Sequence, residues 1–250
     1  MITLRAFVGI YLRGLCMGAA DAVPGVSGGT IALITGIYER LIAAITAAEP
    51  SRIRRIVAGI DPARRADAVD ALRELDVGFL LAVGAGILTA VVTILRVVSV
   101  LLEAAPIGTY GFFFGLIGAS AAVLYSEVSL ATRGRKVVAA AGVLLAFSLS
   151  GYAATAVGTS LPIVFVAGSI AVTAMVLPGV SGSLLLLMLG QYDYMSTTLS
   201  SFTDGLVAAV RGNGIAALRE TTPSIVVFLL GGIVGLVNVA HAVQWALAPS

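Results

Sequence analysis

Apolar residues fill this chain in blocks close to the roughly 20 residues that a helix needs to cross a bilayer core. From Ala6 to Val23 the chain is mostly apolar, breaks at Pro24-Gly25, and runs on from Val26 to Ala48. Further blocks cover Val77 to Leu102, Pro106 to Tyr125, Val137 to Val157 and Ser224 to Leu247. Pro162 to Leu177 leads into a second break, and Ser183 to Tyr194 leads out of it. Glu49 to Asp76 is the most charged stretch, and Ser196 to Thr222 reads as a polar, partly amphipathic connection. The pattern predicts an all-α polytopic membrane protein with about four full transmembrane spans and two broken-helix segments. In the charged stretch, Ile53, Ile56, Val57 and Ile60 share one helical face opposite Arg52, Arg54 and Arg55. That spacing predicts a basic amphipathic helix on an anionic membrane surface, ended by Pro62.

The two breaks repeat almost word for word. Pro24-Gly25-Val26-Ser27-Gly28-Gly29-Thr30 returns as Pro178-Gly179-Val180-Ser181-Gly182-Ser183. Gly36, Tyr38 and Glu39 return as Gly190, Tyr192 and Asp193, and the offset is 154 throughout (24 to 178, 38 to 192). Proline removes a backbone donor and glycine permits unusual backbone angles, so each motif marks a helix that must break. Tyrosines favour the membrane interface. Tyr38 and Tyr192 each lie 12 residues beyond the valine of their break. At 1.5 Å per residue that is about 18 Å, close to the roughly 15 Å of half a bilayer core. The breaks are therefore expected near the midplane, in re-entrant hairpins over 6–48 and 162–196.

Three spans separate the hairpins, an odd number, so the second should enter from the opposite face. This predicts an inverted repeat within a single domain, 1–250: repeat one over 1–102, connecting spans over 106–157, and repeat two over 162–250. Charge agrees with the count. The face holding the N-terminus, Arg40, the 49–76 segment and residues 133–136 carries 12 of the 15 basic residues. By the positive-inside rule that face is cytoplasmic, so both termini are expected inside a cytoplasmic (inner) membrane.

Composition removes most other classes. The chain is 59% hydrophobic and 11% charged, against about 25% charged in a soluble domain. Cys16 is the single cysteine and His241 the single histidine, which excludes disulfide frameworks, thiolate clusters and most zinc or histidine-based catalysis. No cofactor, metal or nucleic-acid partner is expected, and no catalytic residue is assigned. Arg13 interrupts the run from Phe7 to Leu12 too early for a cleaved signal, so the N-terminal segment is expected to be retained.

Broken helices at the midplane of inverted repeats are a transporter design. Two facing helix starts offer N–H groups and positive dipole ends to an anion. Ser27, Thr30, Ser181 and Ser183 add hydroxyls, while Gly25, Gly28, Gly29, Gly179 and Gly182, beside Pro24 and Pro178, let an anion approach the backbone. The plainer alternative is a pair of kinks that lets helices pack. Asp21, whose counterpart is Met175, reads as a proton carrier or as a group that orients the broken turn. Glu39 and Asp193 are candidates for coupling or gating, with solvated interfacial acids as the alternative. Arg96 either snorkels from its span or contacts phosphate. His241 and Trp245 suit an interfacial belt, and the glycine pairs Gly111/Gly115 and Gly231/Gly235 suit close helix packing.

The phrase from Met17 to Thr30, continuing to Gly36-Ile37-Tyr38-Glu39, resembles a membrane family associated with polyprenyl-phosphate transport. Leu177 to Ser183 and Phe112-Phe113-Phe114-Gly115-Leu116 are similar to that family too, so the resemblance runs over nearly the whole chain. It implies translocation of undecaprenyl phosphate, or a related polyprenyl phosphate, across the cytoplasmic membrane for reuse, with the matching positions in the breaks as substrate contacts. The expected partners are that lipid and the surrounding membrane lipids. Carrying a lipid phosphate inward opposes an inside-negative potential by about 2.3 kcal/mol per charge per 100 mV, which motivates proton coupling through Asp21 or the Glu39/Asp193 pair. Two other functions fit parts of the pattern. A small-anion channel or transporter would use the same helix ends. A rhomboid-like intramembrane serine protease would use Gly25-Val26-Ser27-Gly28 with His241 as its base.

Overall fold

A computed structural model describes residues 4–125, 131–156 and 158–247 (backbone only at 50, 124, 145, 149–156 and 240–247). Twelve α-helices and one 3-10 turn cover them, and no strand occurs among the described residues. In order these are α1 Leu4–Ala22, α2 Gly28–Ile34, α3 Tyr38–Thr46, α4 Pro50–Ala58, the turn Pro62–Arg64, α5 Arg65–Glu74 and α6 Val77–Ala104. Then follow α7 Pro106–Tyr125, α8 Arg133–Ala156, α9 Leu161–Val176, α10 Gly182–Met188, α11 Tyr192–Val210 and α12 Ala216–Leu247. Among the described residues, Val77–Ala104, Pro106–Val123 and Ala216–Val239 are long and apolar enough to cross a membrane, and the bent pair α2–α3 makes a fourth if counted as one span. The span expected over 137–157 falls in α8, whose side chains at 145 and 149–156 lie outside the described residues.

Both motifs break their helices as the prolines require, and in the same backbone conformation. Gly25 and Gly179 take φ of 95° and 83°, a region closed to most side chains. Ser27 and Ser181 follow in extended geometry (φ −115° and −102°) and cap α2 and α10. Each of these helices stops after seven residues, about 10 Å, and turns at Gly36 (φ 71°) or Gly190 (φ 65°). The returning segment is therefore shorter than the 12 residues expected from the tyrosine spacing. Tyr38 and Tyr192 begin the next helices and are 7% and 3% exposed, packed within protein.

Two long packings hold the breaks in place. α1 lies against α6, and α9 against α12, each through glycines at close approach. A Cβ on Gly14, Gly18 or Gly86 would strike the facing backbone at Val83, Ile87 or Tyr11. Gly231 and Gly235 meet Phe165 and Ser169 in the same way, as their spacing predicts. Gly111 and Gly115 do not: a Cβ at either would meet nothing within 4 Å. The pairs correspond. Tyr11 and Phe165 keep the offset of 154, whereas their partners Gly86 and Gly231 are 145 apart, so the first half holds nine extra residues between them.

Those extra residues fall in the stretch that contains the α4–α5 hairpin, where Ala68 packs against Gly59. Arg52 and Arg55 reach Glu74 at 3.0 and 3.2 Å, Arg40 pairs with Asp76 at 2.6 Å, and Ile53, Val57 and Ile60 of the expected amphipathic face are exposed. The hydrogen bonds from Arg52 and Arg55 hold the Glu74 carboxyl below its ordinary pKa. In the second half the expected polar connection from Ser196 to Thr222 is mostly helix, with only 211–215 between α11 and α12. Its hydroxyls bond back along the helix, as Thr197 does to the Asp193 carbonyl (2.8 Å) and Thr203 to that of Ser200 (2.8 Å). Pro223 lies inside α12. The side chains of His241 and Trp245 lie outside the described residues.

Candidate functional site

The two breaks meet and bond to each other. The Gly25 N–H donates to Ser181 Oγ (3.2 Å), and the Gly179 N–H donates to Thr30 Oγ1 (2.8 Å). The Ser27 hydroxyl donates to the Leu177 carbonyl (3.4 Å). Residues about 150 positions apart thus satisfy groups that a broken helix leaves without partners, which membrane burial demands. Each serine also caps its own short helix: Ser27 Oγ accepts from the Thr30 N–H and Ser181 Oγ from the Leu184 N–H, both at 3.3 Å. Ser183, 1% exposed, lies 3.2 Å from Ser181, oxygen to oxygen.

Asp21, at the end of α1, is buried and accepts the Gly28 N–H at 2.9 Å. A Cβ on Gly28 would run into that carboxylate. The counterpart contact joins Met175 to Gly182, so the second half replaces a carboxylate–amide bond with a thioether packed on glycine. Gly29 is buried against the backbone of Met175, Val176 and Leu177. Pro24 is fully buried, while Pro178 and Gly179 are exposed. Three N–H groups at the two helix starts, on Gly28, Thr30 and Leu184, are therefore already taken by protein oxygens.

The remaining candidates lie away from the breaks. Glu39 is exposed. Asp193, also exposed, accepts the Tyr110 hydroxyl at 2.6 Å. Arg96 pairs with Asp204 of α11 at 2.6 Å and lines a separate polar pocket of about 230 Å³ with Ser99, Glu103 and Ser200. Sequence reasoning missed three groups that complete the site. The Tyr192 hydroxyl, buried, donates to the Ala22 carbonyl (2.8 Å), closing the end of α1 from the other half. Ser120 of α7 donates to the Gly25 carbonyl (3.0 Å), and Ile117 packs on Gly25. Tyr192 carried a signal in its repeat position; Ser120 showed only as a lone hydroxyl after Gly118-Ala119.

Motif residues open onto two cavities. One of about 350 Å³ is lined by Gly25, Ser27, Thr30 and Gly179 together with Ala119, Ser120 and Val123 of α7. The other, about 550 Å³, lies among α6, α11 and α12; Asp21, Ala22, Met175 and Ser183 contribute to its wall. Neither wall carries a lysine or arginine, so an anion held at the breaks would rely on hydroxyl and N–H donors. No group of three His, Cys, Asp or Glu suited to a metal occurs among the described residues.

Residues 17–249 match the model of a family described as undecaprenyl phosphate translocase-like. The chain is 32% identical to a polyprenyl-phosphate transporter of Vibrio cholerae serotype O1 (strain ATCC 39315 / El Tor Inaba N16961), over 96% of this chain and 70% of the relative. No solved structure matches it.

Proposed function

The chain belongs to the undecaprenyl phosphate translocase-like family, and from that premise we propose that it is a transporter, not an enzyme, that moves a polyprenyl-phosphate lipid across the cytoplasmic membrane. One domain, 1–250, holds two inverted halves whose breaks enter from opposite faces as re-entrant hairpins, with both termini cytoplasmic. The observation that carries this reading is the mutual hydrogen bonding of the breaks through Gly25–Ser181, Gly179–Thr30 and Ser27–Leu177. Repeat-related segments that satisfy each other at the centre of a bundle can also part, and alternating access needs such a barrier.

The phosphate takes the place of these mutual partners. When the breaks separate, Ser27, Thr30, Ser181 and the N–H groups of Gly25 and Gly179 lose their partners in the other break and turn to the headgroup, and Ser183, bonded to Ser181 within its own break, adds a hydroxyl beside them. Pro24, Gly28, Gly29, Pro178 and Gly182 shape the backbone that lets it approach. α2 and α10 have only seven residues each, so local donors carry more of the binding than any helix dipole. Neutral donors bind a phosphate loosely enough to release it, which transport requires. The isoprenoid chain stays in apolar surroundings throughout, so only the headgroup bears the cost of crossing.

Asp21 is placed to couple proton movement to the step, because its carboxylate holds the first break and reaches the larger cavity. Asp193, fastened to Tyr110, and Glu39 are gating candidates farther out. Arg96, held by Asp204, is a contact for phosphate only outside the breaks. The test is flux in reconstituted vesicles, comparing polyprenyl phosphate with chloride and inorganic phosphate. Lipid movement without rapid anion flux supports the reading; rapid anion flux without lipid movement replaces it with an anion channel.

A further inference from the structure

The cavity among α6, α11 and α12 has no filled function so far, and the repeat shows why it is unusual. Its wall includes Met195, Ser196, Leu199, Ile225 and Phe228. At the offsets of 154 and 145 their counterparts in the first half are Leu41, Ile42, Ile45, Leu80 and Val83. Those five belong to, or pack against, one apolar core with Tyr38, Phe79 and Val176. The α11 and α12 side chains of this cavity thus have counterparts that pack into an apolar core, while here they border about 550 Å³ of open space. A void of that size forfeits contacts that a well-packed interior keeps, so an occupant is expected.

Resting on the transport reading, we infer that this cavity is the binding site for the isoprenoid chain of the transported lipid phosphate. Three features select that chemistry. The wall is almost wholly aliphatic and aromatic, with Leu88, Val92, Leu95, Leu199, Phe202 and Phe228 among its members, and the volume suits several isoprene units. Of the polar members Asp21, Ser183, Tyr192, Ser196, Thr203 and Thr222, Asp21 and Ser183 belong to the breaks, so a chain lying in the cavity with its phosphate at that end directs it toward the proposed headgroup site. Ser196 stands where the apolar core has Ile42, and Ala22 stands where it has Val176; both exchanges remove bulk from the open side. In the first half, Leu41, Ile42 and Val83 are instead buried in that core.

Photolabelling tests the site directly. The full-length protein in vesicles of phosphatidylethanolamine and phosphatidylglycerol is irradiated with undecaprenyl phosphate that carries a diazirine in its first isoprene units. Labelling is expected on Leu199, Phe202 and Val92, displaced by unlabelled undecaprenyl phosphate and not by inorganic phosphate. Val92→Phe and Leu199→Phe, which add bulk into open space, should lower lipid uptake by about tenfold, the equivalent of two buried methylene contacts. A wild-type protein that moves the lipid while the probe labels only outward-facing residues overturns the chain site and leaves the transport reading standing. Equal labelling of the cavity by a diazirine phosphatidylglycerol overturns it as well, since the cavity is then a general lipid groove. No movement of polyprenyl phosphate by the wild type removes the transport reading and this site together.

Discussion

The Tyr192 hydroxyl donates to the Ala22 carbonyl at 2.8 Å, so the first residue of α11 closes the last turn of α1 across 170 positions of sequence. An unmade hydrogen bond to a buried carbonyl costs about 1–3 kcal/mol. Tyr192→Phe keeps the ring, and its edge contact with Phe113, and removes only the donor. Thermal unfolding in detergent should show a loss of that size, accompanied by reduced transport. An unchanged midpoint would mean that Ala22 finds another donor.

Gly28 and Gly84 give a contrast in one residue type. A Cβ on Gly28 meets the Asp21 carboxylate, whereas one on Gly84 meets nothing within 4 Å. Gly28→Ala should therefore lose about 1–3 kcal/mol by overpacking, and Gly84→Ala should be neutral or slightly stabilising in its helix. The comparison is read from unfolding midpoints of the two purified variants.

Asp21→Asn separates charge from geometry. The amide oxygen still accepts the Gly28 N–H, so the break should keep its shape, but the side chain no longer exchanges a proton. Transport by this variant should fall and lose its dependence on a pH gradient across the vesicle. Normal transport at every pH would end the part of Asp21 in coupling.

The α4–α5 hairpin carries a pH signature of its own. Arg52 and Arg55 lower the Glu74 pKa in the folded state, so their contribution is present above the unfolded carboxylate value, near 4.5, and is lost as pH falls through the lower folded value. Protection factors of the amides in 50–74, corrected for intrinsic exchange at each pH, should fall on acidification below that value in the wild type. Glu74→Gln should show the lower protection already at neutral pH.

Much of this architecture is legible in the chain because proline, glycine and serine act locally. Pro24, Gly25 and Ser27 fix a break, a left-handed turn and a cap by themselves, and their recurrence at 178, 179 and 181 implies a repeat. Contacts that depend on where helices cross are not written locally. Tyr192 is equally a good interfacial residue and a good buried donor, and only the end of α1 beside it decides. Gly111 and Gly115 have the same spacing as Gly231 and Gly235, yet only the second pair has a helix laid against it. Arg52 and Arg55 read as a basic face, but the carboxylate they pair with, Glu74, comes from α5. The open cavity has no motif of its own; it emerges from comparing Ser196 with Ile42 once both halves are folded.

The central claim is that the interlocked breaks form the barrier and the headgroup site, and removing their hydroxyls tests it most directly. Ser27→Ala, Ser181→Ala and the double variant would be reconstituted, and polyprenyl-phosphate flux measured beside unfolding midpoints. Each lost hydroxyl removes a hydrogen-bond partner worth about 0.5–1.5 kcal/mol, so the folded protein should persist. Flux should fall in each single variant and by tenfold or more in the pair, if headgroup bonds to charge are worth about 1.5–3 kcal/mol each. A folded double variant that carries polyprenyl phosphate at the wild-type rate would contradict the account.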